Sequence, residues 1–200
     1  MVPAFLLALR EGLEGALIVG IVLGALRKMN RNELQPIVWA GTISAIVVSA
    51  FVAIILYQVG ISLEEEGEAI FEGITMLLAA AVLTWMILWM RHQAKATSQN
   101  LAAEVRQAVG QRGKQTLFFV AFLAVVREGV ELALFLVAAS FAAGGTATII
   151  GAVVGLIIIG AVAWAFFSRL IKLDMGHFFQ YTSILLILFA AGLVAHGVHE

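Results

Sequence analysis

Two short charged motifs lie inside apolar stretches of this sequence and share one pattern of residue types. Residues 10–14 read Arg-Glu-Gly-Leu-Glu, and residues 127–131 read Arg-Glu-Gly-Val-Glu. On a helix, glutamates three residues apart share a face, and an arginine can pair with a glutamate four residues further on. Each charge at the centre of a membrane helix costs about 2.5–3.5 kcal/mol on insertion scales, so three cost roughly 8–10 kcal/mol. Because the chain incurs this insertion free energy in two motifs, the charged residues are expected to have a function.

The chemistry that these residue types favour is the binding of a cation or of protons. Two motifs brought together collect four carboxylates and two guanidinium groups, a formal charge of −2. In a low-dielectric interior this site must take up protons or hold a cation. Carboxylate oxygens are hard ligands, compatible with Fe(III), Fe(II), Mn²⁺, Ca²⁺ and Mg²⁺, and a trivalent ion would gain most from the charge. The predicted ligands are Glu11, Glu14, Glu128 and Glu131, with Arg10 and Arg127 orienting them as counter-charges.

The composition is that of an integral membrane protein. Of the 200 residues, 62% are hydrophobic and 12% are charged, whereas soluble domains have about 45–50% and 25%. The net charge of −1 gives no bulk affinity for nucleic acid, and the absence of cysteine excludes disulfides and thiolate metal sites. Six apolar stretches can each cross a hydrocarbon core of about 30 Å. We predict an all-α polytopic protein with six transmembrane helices near 2–26, 35–59, 67–91, 117–142, 146–168 and 177–199.

The distribution of basic residues predicts the orientation in a lipid bilayer. Lys and Arg outside the motifs fall only between spans one and two, three and four, and five and six, apart from Arg91 at the end of span three. Under the positive-inside rule the N-terminus is outside a plasma or inner membrane, and these connections are cytoplasmic. Residues 1–91 and 117–200 then form two inverted three-helix repeats, joined by a cytoplasmic connection at 92–116. Inverted repeats place their binding sites near mid-membrane, where both motifs would meet.

Further acidic and histidine residues lie near the predicted outer surface. An acidic cluster, residues 64–66 and 68, lies at the start of span three. Glu72 lies about one turn deeper in that span, and we predict a role for it as a metal ligand or in the pathway. The cluster could concentrate cations at an entrance, or it could be a solvated loop. Two histidines three residues apart at the outer end of span six could line the same entrance, or they could be interfacial polar residues. The predicted entrance residues are Glu64, Glu65, Glu66, Glu68, His196 and His199.

The paired motifs resemble the signature of the high-affinity, oxidase-dependent iron permease family, which has fungal and bacterial members. Residues 71–73 with 83–86 resemble the third helix of that family, and residues 195–200 resemble the end of its sixth. The resemblance covers essentially the whole chain. It implies iron uptake, with the motif glutamates as iron ligands and iron as the transported ion, without a tightly bound cofactor. It also implies a ferroxidase or peroxidase-type partner that oxidises iron. Family members usually add a seventh helix, and homo-oligomerisation is left open.

Other functions remain compatible with the same residues. The carboxylates could carry another divalent metal or protons. They could also form an intramembrane di-iron oxidase, although soluble di-iron bundles usually add Glu-x-x-His motifs and both repeats here end in glutamate. A purely structural subunit is a further alternative. We predict a permease and not an enzyme.

Overall fold

The computed structural model describes residues 1–62, 67, 69–88, 113–167 and 175–199, and these residues are almost entirely helical. Each of the six predicted spans coincides with one long helix in this part of the chain, so the prediction of an all-α protein is confirmed. A short 3-10 helix, Asn32–Leu34, precedes the second long helix. The long helices are α1 (Val2–Lys28), α2 (Gln35–Ile61), α3 (Ala69–Leu88), α4 (Gly113–Ala143), α5 (Gly145–Phe167) and α6 (Met175–His199).

The lengths and surfaces of these helices suit a lipid bilayer. By length and composition, Asn32–Gly60, Ala69–Leu88 and Gly145–Ala165 can each cross a membrane, and α6 adds the shorter apolar segment Thr182–Val198. Helices α1 and α4 have 27 and 31 residues, or about 40 and 46 Å at 1.5 Å per residue. Large apolar side chains are exposed along α2 and α5, where lipid would cover them. They include Ile43, Phe51, Ile54, Ile149, Ile157 and Trp164.

Proline and glycine set where several helices begin and end. Pro3 and Pro36 lie in the first turns of α1 and α2, where an absent N–H leaves no helical hydrogen bond unmade. Gly144 separates α4 from α5 with a φ of +85°, a conformation that glycine adopts without strain. Beyond this turn the Thr148 hydroxyl donates to the Ala139 carbonyl at 3.2 Å, which ties the two helices together.

Two apolar clusters pack the helices around the motifs. The first joins α1, α3, α4 and α6, and the second joins α1, α2 and α4. Both clusters contain α1 and α4, so these two helices are held at the centre of the bundle. Fully buried members of the first cluster include Leu7, Met76, Leu83, Phe135 and Leu186, and those of the second include Val22, Leu26 and Val38.

The second helix of each predicted repeat packs on the first helix of the other repeat. Helix α2 packs on α4, and α5 packs on α1. A Cβ placed on Gly41 would lie 3.2 Å from Ala121 Cβ, and one placed on Gly151 would lie 3.3 Å from Ala4 Cβ. Ala4 and Ala121 are 117 positions apart, as are the two charged motifs. Structurally equivalent halves would produce this arrangement, although their inverted orientation and the division at 92–116 stay predictions.

Some predicted features lie outside the described residues. These are residues 92–112 of the predicted connection between spans three and four, the basic connection over 168–174, the side chain of His199, and the acidic residues Glu64, Glu65, Glu66 and Glu68.

Candidate metal centre

The contact between α1 and α4 brings the two charged motifs together. One carboxylate oxygen each from Glu11, Glu128 and Glu131 lies within 4.8 Å of the other two. Three of the five predicted ligands therefore converge on one point. Among the described residues this group contains neither Glu14 nor Glu72, although Glu14 is close enough to Glu131 for electrostatic interaction.

Within each motif the arginine pairs along the helix with the second glutamate. Arg10 Nε donates to Glu14 Oε1 at 3.3 Å, and Arg127 Nε donates to Glu131 Oε1 at 3.1 Å. The first glutamate of each motif lies farther from its arginine, at 3.9 and 4.0 Å. These pairs have the i, i+4 geometry that the spacing of the motif predicts.

Several carboxylate oxygens at the centre are buried without hydrogen-bond partners. Both oxygens of Glu11 and Oε2 of Glu131 are in this state within the described part of the chain. Glu11 is also among the largest fully buried side chains. An unsatisfied polar group in a dry interior is costly, and an uncompensated charge costs more. These free lone pairs are therefore the acceptors that a bound cation would use.

The chemistry available to this arrangement is cation binding by hard oxygen ligands. Four motif carboxylates and two arginines leave a formal charge of −2 at the centre. The guanidinium groups keep the empty site tolerable, and a cation that binds the three converging oxygens would replace the missing compensation. Calcium, magnesium, manganese and iron all accept carboxylate oxygen, so the ligand set alone does not select among them.

Glycines inside the motifs let neighbouring helices approach the carboxylates closely. A Cβ on Gly12 would lie 2.9 Å from Ile159 Cγ2 of α5, and a Cβ on Gly129 would lie 2.6 Å from Ser49 Cβ of α2. Ser49 and Ile159 are 110 positions apart, as are Gly41 and Gly151. Helices α2 and α5 therefore support the two motifs at equivalent positions.

Sequence reasoning missed Ser49. Its side chain is buried, and its hydroxyl has no hydrogen-bond partner among the described residues. A single polar residue in an otherwise apolar span is only weak evidence for a residue at a functional site. Its place beside the second motif depends on how α2 packs on α4, which spacing along the sequence does not give.

Glu72 and His196, the remaining predicted residues whose side chains are described, lie at one end of the bundle. Glu72 is partly buried on α3, and His196 is exposed on α6. A Cβ on Gly197 would lie 3.1 Å from the carbonyl oxygen of Gly73, so these two helices approach each other beside Glu72 and His196. Among the described residues neither belongs to the group of converging carboxylates. Their role in an entrance or a pathway stays a prediction.

Comparison with known proteins identifies the relatives of this chain. The sequence model of the iron permease FTR1 family matches residues 1–200. The chain is 34% identical over 200 residues to a protein of Yersinia pestis named ferrous iron permease EfeU, covering 99% of this chain and 71% of that relative. It is 33% identical over 204 residues to the ferrous iron permease EfeU of Escherichia coli O6:K15:H31, with coverages of 99% and 72%. No solved structure matches significantly. The chain belongs to the iron permease FTR1 family.

Proposed function

We propose that this protein imports iron across a cell membrane through the carboxylate centre between α1 and α4. The observation that carries the proposal is the convergence of Glu11, Glu128 and Glu131 within 4.8 Å. The oxygens of Glu11 support a binding role for this group, because they are buried and have no hydrogen-bond partner among the described residues. Membership of a permease family, and relatives named as ferrous iron permeases, support iron as the cargo.

The predicted orientation defines the path along which iron would be imported. Basic connections on the inner side place the N-terminus outside, so iron would pass the outer ends of α3 and α6 before it reaches the centre. Glu72 and His196 are the described residues proposed for that pathway. Arg10 and Arg127 compensate the carboxylates while the site is empty, and iron leaves toward the cytoplasm.

Three observations bear on the oxidation state of the iron. A formal charge of −2 favours a trivalent ion, and the resemblance to oxidase-dependent permeases implies a partner that supplies Fe(III). The names of the relatives favour Fe(II). We therefore propose Fe(III) supplied by an iron-oxidising partner, with Fe(II) as the alternative that the following experiment tests.

The experiment measures accumulation of radioactive iron in liposomes that contain only this protein. Fe(II) is kept reduced under anaerobic conditions, and Fe(III) is offered separately as a soluble citrate complex. We expect the Glu11→Gln variant to lose at least about tenfold in uptake rate, since it removes a converging ligand. Glu33→Gln is the matched control, because Glu33 lies in the 3-10 helix with 58% of its side chain exposed.

The alternatives predict different results in the same vesicles. Uptake of manganese without iron would contradict the assignment of iron. Oxygen consumption with Fe(II), without iron accumulation, would favour a di-iron oxidase. If Glu11→Gln transports iron as fast as the unmodified protein, the carboxylate centre is not the transport site.

A further inference from the structure

The two charged motifs have the same sequence pattern but different surroundings. The Arg10 side chain is 0% exposed, whereas the Arg127 side chain is 47% exposed. Each arginine pairs through Nε with the glutamate four residues later, at closely similar distances. The difference therefore lies in the packing around the arginines and not in the pairing within the motifs.

The second glutamates of the motifs also differ in what they face. Glu131 uses Oε1 for Arg127, and its Oε2 is buried without a hydrogen-bond partner among the described residues. Glu131 also belongs to the converging group with Glu11 and Glu128. Glu14 accepts from Arg10 and lies outside that group. A cation at the point of convergence thus shares Glu131 with an arginine, whereas the Arg10–Glu14 pair contributes no oxygen to the converging group.

Burial decides which arginine can move away from its carboxylate when a cation binds. A fully buried guanidinium cannot leave its carboxylate without becoming an uncompensated buried charge. An arginine with half of its side chain exposed can move its head group outward while its stem stays in place. Arg127 can therefore withdraw from Glu131, and Arg10 must stay with Glu14.

We propose that the two motifs divide the work at the centre. Glu11, Glu128 and Glu131 hold the cation, Arg127 is the counter-charge that the cation displaces from Glu131, and Arg10 with Glu14 is a permanent pair that keeps α1 in place. The division rests on the proposed iron site, and it makes Glu131 a ligand and Glu14 a positioning residue.

A matched pair of isosteric variants tests this division. Glu131→Gln and Glu14→Gln each remove one negative charge and one arginine partner. In lipid nanodiscs, we expect Glu131→Gln to weaken equilibrium binding of Fe(III), offered as its citrate complex, by more than about 100-fold, because a ligand is lost. We expect Glu14→Gln to weaken it less, by about 10- to 100-fold, as for other residues that position metal ligands. We expect the reverse order for thermal stability, with Glu14→Gln the less stable, since Arg10 is then buried without its main partner. Equal losses of affinity, or a larger loss for Glu14→Gln, would overturn the proposal.

Chemical modification of the unmodified protein gives a second test that requires no variant. Phenylglyoxal modifies accessible arginines, and peptide mass spectrometry locates the adducts. We expect Arg127 to be modified, and to be modified faster when iron is bound, while Arg10 stays unmodified. Modification of Arg10 at the rate of Arg127, or protection of Arg127 by iron, would contradict the division. If the unmodified protein binds no iron, the proposed function fails, while the stability order and the iron-free modification pattern still test the permanent pair.

Discussion

Replacing Gly129 by alanine should disturb the candidate metal centre through a defined steric contact. The added Cβ would lie 2.6 Å from Ser49 Cβ and closer still to the Ser49 hydroxyl oxygen. Ordinary contacts of a Cβ begin near 3.4 Å, so the two atoms must separate by about 0.8 Å, the difference between these distances. A serine Cβ is fixed to its backbone, and α2 must therefore move away from α4. Glu128 and Glu131 flank Gly129 and move with it.

The magnitude follows from two opposing effects. Overpacking a tight interface costs about 1–3 kcal/mol, while alanine in a helix is favoured over glycine by about 1 kcal/mol. Because the clash involves a rigid atom, we expect a net loss of about 1–2 kcal/mol. For a chain of this size that lowers the melting temperature by about 2–8 °C. Iron uptake should fall further, since metal–ligand distances tolerate only about 0.2 Å of change.

The assay combines thermal unfolding in nanodiscs with iron uptake into liposomes. Gly15→Ala is the control, because its Cβ would meet no described atom within 4 Å. Ser49→Gly should rescue Gly129→Ala by removing the clashing Cβ, whereas Ser49→Ala retains that atom and should not. A double-mutant cycle isolates the interaction from the cost of glycine in α2. The reasoning is refuted if Ser49→Gly and Ser49→Ala act alike on Gly129→Ala, or if Gly129→Ala is as stable as Gly15→Ala.

Two further predictions concern the arginines and the orientation. Arg10→Gln should lower the free energy of unfolding by about 3–5 kcal/mol, because it breaks a buried ion pair, whereas Arg31→Gln removes an exposed pair and should cost less than about 1 kcal/mol; equal melting temperatures would contradict this difference. Because the chain has no cysteine, Thr146→Cys and Asn30→Cys each create a single thiol, and both positions are exposed. In intact cells, a membrane-impermeant maleimide should label the variant at 146 and not the one at 30, and the opposite pattern would reverse the orientation.

Periodicity and charge distribution were sufficient to predict much of this protein. A hydrocarbon span needs about twenty apolar residues, so six apolar stretches predicted six helices without knowledge of their packing. The charges within two of these stretches carry a high free energy of insertion into a membrane, and this cost indicated a functional site. The i, i+4 pairing of Arg10 with Glu14 and of Arg127 with Glu131 also follows from helix geometry, since it needs no second helix.

Tertiary packing decided how the two similar motifs differ. The spacing of the motifs does not distinguish the four glutamates as ligands. The packing of α1 on α4 brings Glu11, Glu128 and Glu131 together, whereas Glu14 pairs with Arg10. The contact of Ser49 with Gly129 likewise depends on how α2 lies on α4. Burial of Arg10 and exposure of Arg127 arise from which helices cover each face, and two motifs with one pattern carry no trace of that difference. The sequence therefore determined the helices and their chemistry, whereas packing between distant helices determined which of these groups meet.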